Sequence, residues 1–400
     1  MFRRYHMFNP KYSFKFNNPT KLLFGAGMIG RLRREKMPGT KALLLMSRGR
    51  SAHVSGAYDK TVEQLQRLKV DFVEFAEIME NPSMEICEKA GAFAKAEGCD
   101  FIVALGGGAV LDASVAVAVM ATNPGRLWDY VVGGTGKAQP VVCDPLPIIT
   151  IATSSGTGSE MNEIGVISND TTHEKIGFAN PKCKPVIAVV DPTFMLTVPP
   201  AYTAYQGFDA LFHHVEAMMS RSLNVLSEAI ALSAISDINE YLPKAVANGS
   251  DIEAREHVAY GSTMAGITMQ LTSLVAQHSM EHAMSAHHRN LQHGAGLIMI
   301  SREFAQFFID RHACDDQFIK MAEAMGAPAP ASPQDFIDAL EKLKKACGVD
   351  NLKMSDYGFT KDECMELALN ARATMGGLYL ANPCEMTDED VAGIFEKSFR

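Results

Sequence analysis

Asp209 and His213 stand one helical turn apart in GFDALFHHVE, and His278 and His282 repeat that spacing in HSMEHAMSAHH, ahead of His293 in LQHG. Residues at i and i+4 share one face of a helix, so each pair can aim both donors at one point. Asp209, His213, His278 and His293 supply one carboxylate and three imidazoles. That set suits a borderline divalent cation, ferrous iron or zinc, and leaves coordination positions free for a substrate oxygen. A single helical histidine is more often a packed core or surface residue, and His287 and His288 read that way. Four donors at helical spacing read as a metal centre.

Three glycine- or hydroxyl-rich stretches could hold a phosphate. Gly106-Gly107-Gly108 follows the apolar run FIVAL and opens a helical stretch through Ala109 to Asp112, and Asp112 is expected with the glycines among the residues that touch the dinucleotide. Glycines there let backbone N–H groups approach a pyrophosphate, and the helix N-terminus adds a field that favours anions. Thr153-Ser154-Ser155-Gly156-Thr157-Gly158 follows PIITIA and offers hydroxyls to phosphate or ribose. Gly25-Ala-Gly27-Met-Ile-Gly30 spells GxGxxG, but no acidic residue ends the second strand; Ser47 stands there, beside Arg48 and Arg50. The GxGxxG is therefore read as a decoy, and Ser47 with its arginines as more able to accept a 2′-phosphate than a ribose diol.

The elements that must position these residues fall into two sets. KLLFG, KALLLM, VDFVEF, DFIVALGGG, PLPIITIAT and PVIAVV are strand-like runs separated by helical stretches. That rhythm predicts βαβ units and a mainly parallel sheet, and the lack of alternation in Phe101–Leu105 predicts a strand covered on both faces. After Val198-Pro199-Pro200 the sequence becomes Ala-, Leu-, Met- and Glu-rich with a 3.6-residue period. The expectation is an α/β Rossmann-like domain over 1–199 and an all-α domain over 200–400, with 133–140 (GGTGKAQP) a mobile loop.

The 400 residues are 47% hydrophobic, enough for a large core, and carry 37 basic against 46 acidic residues, a net charge of −9. Without a dense basic block, nucleic acid and anionic membranes are poor partners and small molecules better ones. Apolar runs such as Val115–Ala121 are too short to span a bilayer. The opening MFRRYHMFNPKYSFKF has no apolar core of a signal peptide, and the eight cysteines form no CxxC pairs, so a reducing cytoplasm is the expected location.

Together, PTKLLFGAG, ALGGGAVLD, ATSSGTGSE, EKIGF, VVDPTFMLTVPP, GFDALFHHVEA, HSMEHAMSAHH and LQHGAG resemble the iron-containing (group III) alcohol dehydrogenase family along nearly the whole chain. The resemblance implies an architecture shared with dehydroquinate synthase, in which a dinucleotide, NAD or NADP, sits between the two domains. It assigns the metal to Asp209, His213, His278 and His293, places His282 near the nicotinamide, and puts Gly106, Gly107, Gly108, Thr153, Thr157 and Lys175 in contact with the dinucleotide. Two positions depart from the family pattern: its GGGS reads GGGA here, which removes a hydroxyl at Ala109, and its coenzyme-selecting Asp reads Ser47. The implied activity is reversible hydride transfer between a small primary alcohol or diol and its aldehyde, with His282 either relaying a proton or packing against the nicotinamide. Polyol or glycerol oxidation and a dehydroquinate synthase-like lyase are the alternatives, and a homodimer or larger homo-oligomer is expected.

Overall fold

The computed structural model describes residues 10–400, so the first nine residues of the opening segment lie outside the described part. Six parallel strands form the main sheet: β1 (Lys21–Phe24), β2 (Lys41–Ser47), β3 (Asp71–Ile78), β4 (Phe101–Gly106), β5 (Ile148–Ala152) and β8 (Ile187–Val190), in the order β1-β8-β5-β4-β2-β3. Every one of the six runs read as a strand is one, and helices such as Met84–Ala96 and Gly108–Met120 make the crossovers. In β2, Leu43 and Leu45 join the core on one face while Ala42, Leu44 and Met46 join the core on the other. Period-two alternation therefore buries both sets, which is why this strand reads as an unbroken apolar run.

An antiparallel hairpin, β6 (Ile164–Asn169) with β7 (Glu174–Ala179), stands apart from the sheet and is absent from the sequence-based expectation. Beyond Pro199–Pro200 the chain is helical to its end. Pro200 occupies the first turn of the helix Pro200–Met219, where a missing N–H does no harm. Arg255, buried in the helix Ile252–Leu271, donates to Val198 O at 3.0 Å, Thr203 Oγ1 at 2.8 Å and Gly249 O at 3.0 Å, and so ties the Pro-Pro connection to the helices behind it.

The 133–140 segment is a loop, but not a loose one. Thr135 donates through its amide at 2.6 Å and its hydroxyl at 2.5 Å to the Glu174 carboxylate, which also accepts from Trp128 Nε1 at 3.1 Å. Gly134 N donates to Ala373 O at 3.2 Å in the helix Cys364–Met375. The expectation of mobility overlooked Glu174, which directly follows the polar turn at 170–173 and is unremarkable in sequence.

Candidate active site

Three helices bring the metal-type donors together. Pro200–Met219 carries Asp209 and His213, Ala276–His287 carries His278 and His282, and His293 opens His293–Ile309. Ligand atoms of Asp209, His278 and His293 all lie within 4.8 Å of one another. Nε2 of His278 and Nε2 of His293 stand 3.4 and 3.5 Å from the same Asp209 Oδ1. His213 lies at the edge of this group, its ring centroid 4.3 Å from that of His278. Its Nδ1 donates to the Asp209 backbone carbonyl at 2.8 Å, which leaves Nε2 as the lone-pair nitrogen. The neighbouring His214 is the satisfied core histidine, with Nε2 donating to Gly261 O at 2.9 Å and burial pulling its pKa down to about 4.

Two carboxylates that the sequence reading missed complete the centre. Buried Glu216 bonds to Nδ1 of His278, and buried Glu281 bonds to Nδ1 of His293. A carboxylate only accepts, so each Nδ1 holds a proton toward its carboxylate and each Nε2 is turned toward Asp209, the arrangement that orients metal-binding imidazoles; with no cation present Nε2 also carries a proton, which a bound metal would displace. Burial opposes charge on His278, but Glu216 overrides it and lifts the pKa to about 10; Glu281 likewise raises His293. Burial also opposes charge on Asp209, yet the surrounding histidines hold it well below the usual carboxylate range. One carboxylate with imidazole Nε2 atoms turned toward it at this spacing fits a ferrous or zinc ion. The His293 side chain is 23% exposed against 4% for His278 and 6% for Asp209, so the site opens on the His293 side.

Lys175, on β7, lies with the metal group. Its ammonium is 2.8 Å from Ser285 Oγ, 3.3 Å from Glu281 Oε2 and 3.5 Å from His293 Nδ1. His282 is buried with its Nδ1 2.8 Å from Met375 Sδ, and burial followed by the field of Lys175 keeps the ring neutral.

The two phosphate-type stretches meet face to face. A Cβ on Gly107 would lie 2.8 Å from Ser154 Oγ, and one on Gly108 would lie 2.5 Å from Thr157 Cγ2, so only glycine lets them meet at this distance. Thr153 N bonds to Gly106 O at 2.9 Å and fixes the register. The amides opening the helix Gly108–Met120 have no intrahelical acceptor and face this junction with the positive end of the helix dipole. The same loop touches the metal centre: a Cβ on Gly156 would lie 2.9 Å from Asp209 Oδ2, and Ser155 N donates to Gln206 Oε1 at 3.2 Å.

Asp112 is placed differently from the expectation that it touches the dinucleotide. Both its oxygens are taken, one by Ser159 Oγ at 2.6 Å and one by Val166 N at 3.1 Å, so it pins the hydroxyl-rich loop and β6 to the helix. Burial raises its pKa to about 6. Ser47 ends β2 and lines a cleft of about 230 Å³ with Arg48, Arg50 and His53. The GxGxxG turn is occupied from within: Asp191 accepts from Gly27 N at 3.1 Å and Ile29 N at 3.3 Å, filling the place a phosphate would take.

Comparison with known proteins finds relatives along nearly the whole chain. The model of the iron-containing alcohol dehydrogenase family matches residues 19–192, and that of the family's C-terminal part matches 203–399. The NAD-dependent methanol dehydrogenase of Bacillus methanolicus is 31% identical over 95% of this chain and 98% of its own length. The 1,3-propanediol dehydrogenase of Klebsiella pneumoniae is 29% identical over 96% of this chain and 99% of its own. An archaeal halo-thermophilic alcohol dehydrogenase from a Red Sea brine pool superposes with a TM-score of 0.92 at 29% identity, over 98% of this chain and all of that one (100%). With the family models matching both the sheet-bearing part and the helical part, the chain belongs to the iron-containing alcohol dehydrogenase family.

Proposed function

We propose that the protein is an alcohol dehydrogenase that moves a hydride reversibly between a small primary alcohol or diol and a nicotinamide coenzyme. The observation that carries this reading is the approach of the Gly156 loop to Asp209, which sets a dinucleotide-type cleft against a metal-type donor group. Asp209, His213, His278 and His293 hold a ferrous ion, with zinc the other candidate on the same donors. The ion supplies Lewis acidity to the substrate oxygen, and the nicotinamide supplies the hydride chemistry. The amides of Gly106, Gly107 and Gly108 and the hydroxyls of Thr153, Ser154 and Thr157 bind the pyrophosphate and ribose. Asp112 holds that loop in place, Lys175 buttresses His293 through Glu281, and neutral His282 orients the nicotinamide and the substrate.

Coenzyme choice rests on the cleft of Ser47, Arg48, Arg50 and His53. An exposed pair of arginines beside a hydroxyl suits a 2′-phosphate, which favours acceptance of NADP alongside NAD. Residues 1–199 and 200–400 act as coenzyme and metal domains. The exposed aromatics Tyr12, Phe14 and Phe16, alternating with polar residues on the extended arm, support a homo-oligomer. No helix among the described residues is long and apolar enough to cross a membrane, and the free cysteines support a cytoplasmic location.

The test is anaerobic oxidation of NADH and NADPH with a panel of small aldehydes, using ferrous-loaded and chelator-stripped protein. Aldehyde-dependent oxidation that vanishes on stripping and returns with iron is expected. Absence of oxidation with either coenzyme, despite measured metal and coenzyme binding, overturns the reading in favour of a lyase on the same scaffold.

A further inference from the structure

Met375 ends the helix Cys364–Met375 and is the one side chain of that helix bonded to His282, with Sδ 2.8 Å from Nδ1. His282, Glu281 and His293 have ligand atoms within 4.8 Å of one another, so a single imidazole separates the thioether from the metal donors. The other side of the thioether faces β7. Lys175 and Gly177 share one face of that strand by its period of two. Lys175 reaches Glu281 and Ser285, while Gly177 leaves a gap: a Cβ there would sit 3.8 Å from Met375 Cε and 3.7 Å from Ile164 Cγ2. These are ordinary contact distances, so the gap has room for one methyl and little more. The backbone of Met375 is held from across the molecule, because Gly134 N bonds to Ala373 O and Gly133 packs on Thr374 O.

Resting on the dehydrogenase reading above, we infer that Met375, together with the gap at Gly177, sets the length of the substrate's carbon chain. The wall they form beside His282 is an unbranched thioether opposite a bare backbone, and neither donates a hydrogen bond from its side chain. Such a wall accepts the methylenes of an aliphatic alcohol and offers nothing to the further hydroxyls of a polyol. Methionine's flexible chain also adjusts to different lengths, which matches a site that takes a short homologous series rather than one compound.

The experiment compares wild type with Met375→Ala, Met375→Leu and Gly177→Ala, all metal-loaded and full length, on straight-chain aldehydes of increasing length from acetaldehyde to hexanal. Recognition of one methylene in an apolar pocket is worth about 10- to 200-fold. Met375→Ala is therefore expected to raise the hexanal-to-acetaldehyde ratio of kcat/KM by about 10-fold or more. Gly177→Ala is expected to lower that ratio, and Met375→Leu to keep it near wild type. A residue with only a packing role would change kcat/KM for all chain lengths by one factor and would lower the melting temperature. Equal ratios in all four proteins overturn the inference. Calorimetric titration of the same proteins with ethanol through hexanol, with coenzyme bound, reads chain-length selection without turnover. If wild type turns over no aldehyde, the dehydrogenase reading fails, and the titrations still decide on Met375: affinities that rise or fall in parallel in every variant overturn its role.

Discussion

At the scale of single residues, the centre depends on side chains that never touch a substrate. Removing His278 takes away the imidazole that links Asp209 to Glu216, so His278→Ala is expected to lose bound metal and turnover together, read by metal analysis beside the NADH assay; turnover by metal-free mutant protein would refute the assignment. Glu281→Gln keeps the shape but weakens the hold on His293 Nδ1, and metal affinity is expected to fall about 10- to 100-fold in competition with a chelator. Asp112 gives a pH signature. Its folded pKa of about 6 lies above the ordinary value of 3.8, so the folded chain binds the extra proton and stability declines as pH rises from about 4 to about 6. The shift corresponds to about 3 kcal/mol. Buried, neutral His213, His214 and His282 push stability the other way over this range, so the Asp112 contribution is read as the difference between wild-type and Asp112→Asn denaturant titrations from pH 4 to 8, a difference that should fall by that amount as pH rises. The donors were legible in sequence because a helix repeats every turn and fixes which residues share a face. Glu216 and Glu281 were not, since each serves a histidine on a different helix from its own or across a turn, a pairing that only packing creates.

Among the elements, the central strands β2, β4, β5 and β8 were legible because each is buried on both faces and so reads as an unbroken apolar run, while the edge strands β1 and β3 are only partly buried. The hairpin of β6 and β7 escaped: Gly165 and Gly177 interrupt its strands and Glu174 and Lys175 open β7, so the apolar Ile167, Ile176 and Phe178 that it buries in the core form no continuous run. The hydroxyl-rich loop is the element on which hydride transfer most depends. A methyl added at Gly156 would press on Asp209 Oδ2 at 2.9 Å and on Gln206 O at 3.1 Å and lift the loop from the metal centre. A misplacement of about 1 Å between reactants lowers rates by about 100-fold, so Gly156→Ala is expected to lose turnover by that order while keeping its metal. Steady-state kinetics beside metal analysis separate the two, and unchanged kcat would show that the loop has slack.

For the whole molecule, the coenzyme-type residues come from the sheet part and the metal donors from the helical part, so the site exists only while the two keep one relative position. Arg255 is central to that, since its guanidinium holds Val198 and Gly249 carbonyls and Thr203 without any carboxylate, and burial lowers its pKa to about 10. Arg255→Met leaves those acceptors unpaired and is expected to lower stability by about 3 kcal/mol. The urea midpoint should fall, while metal content of the folded fraction stays unchanged.

The carboxylate of Asp191, seated in the first glycine-rich turn, gives that motif a different career from the one its spelling suggests. Being tethered, it faces the Gly27 and Ile29 amides at an effective concentration on the order of millimolar or above, which free phosphate must outcompete. The turn thus works as an internal anchor between the first strand of the sheet and its neighbour β8, and under the proposed function the nucleotide is left to the junction at Gly106–Gly108. Freed of its tethered competitor in Asp191→Ala, the turn should gain a phosphate-dependent rise in melting temperature that wild type lacks.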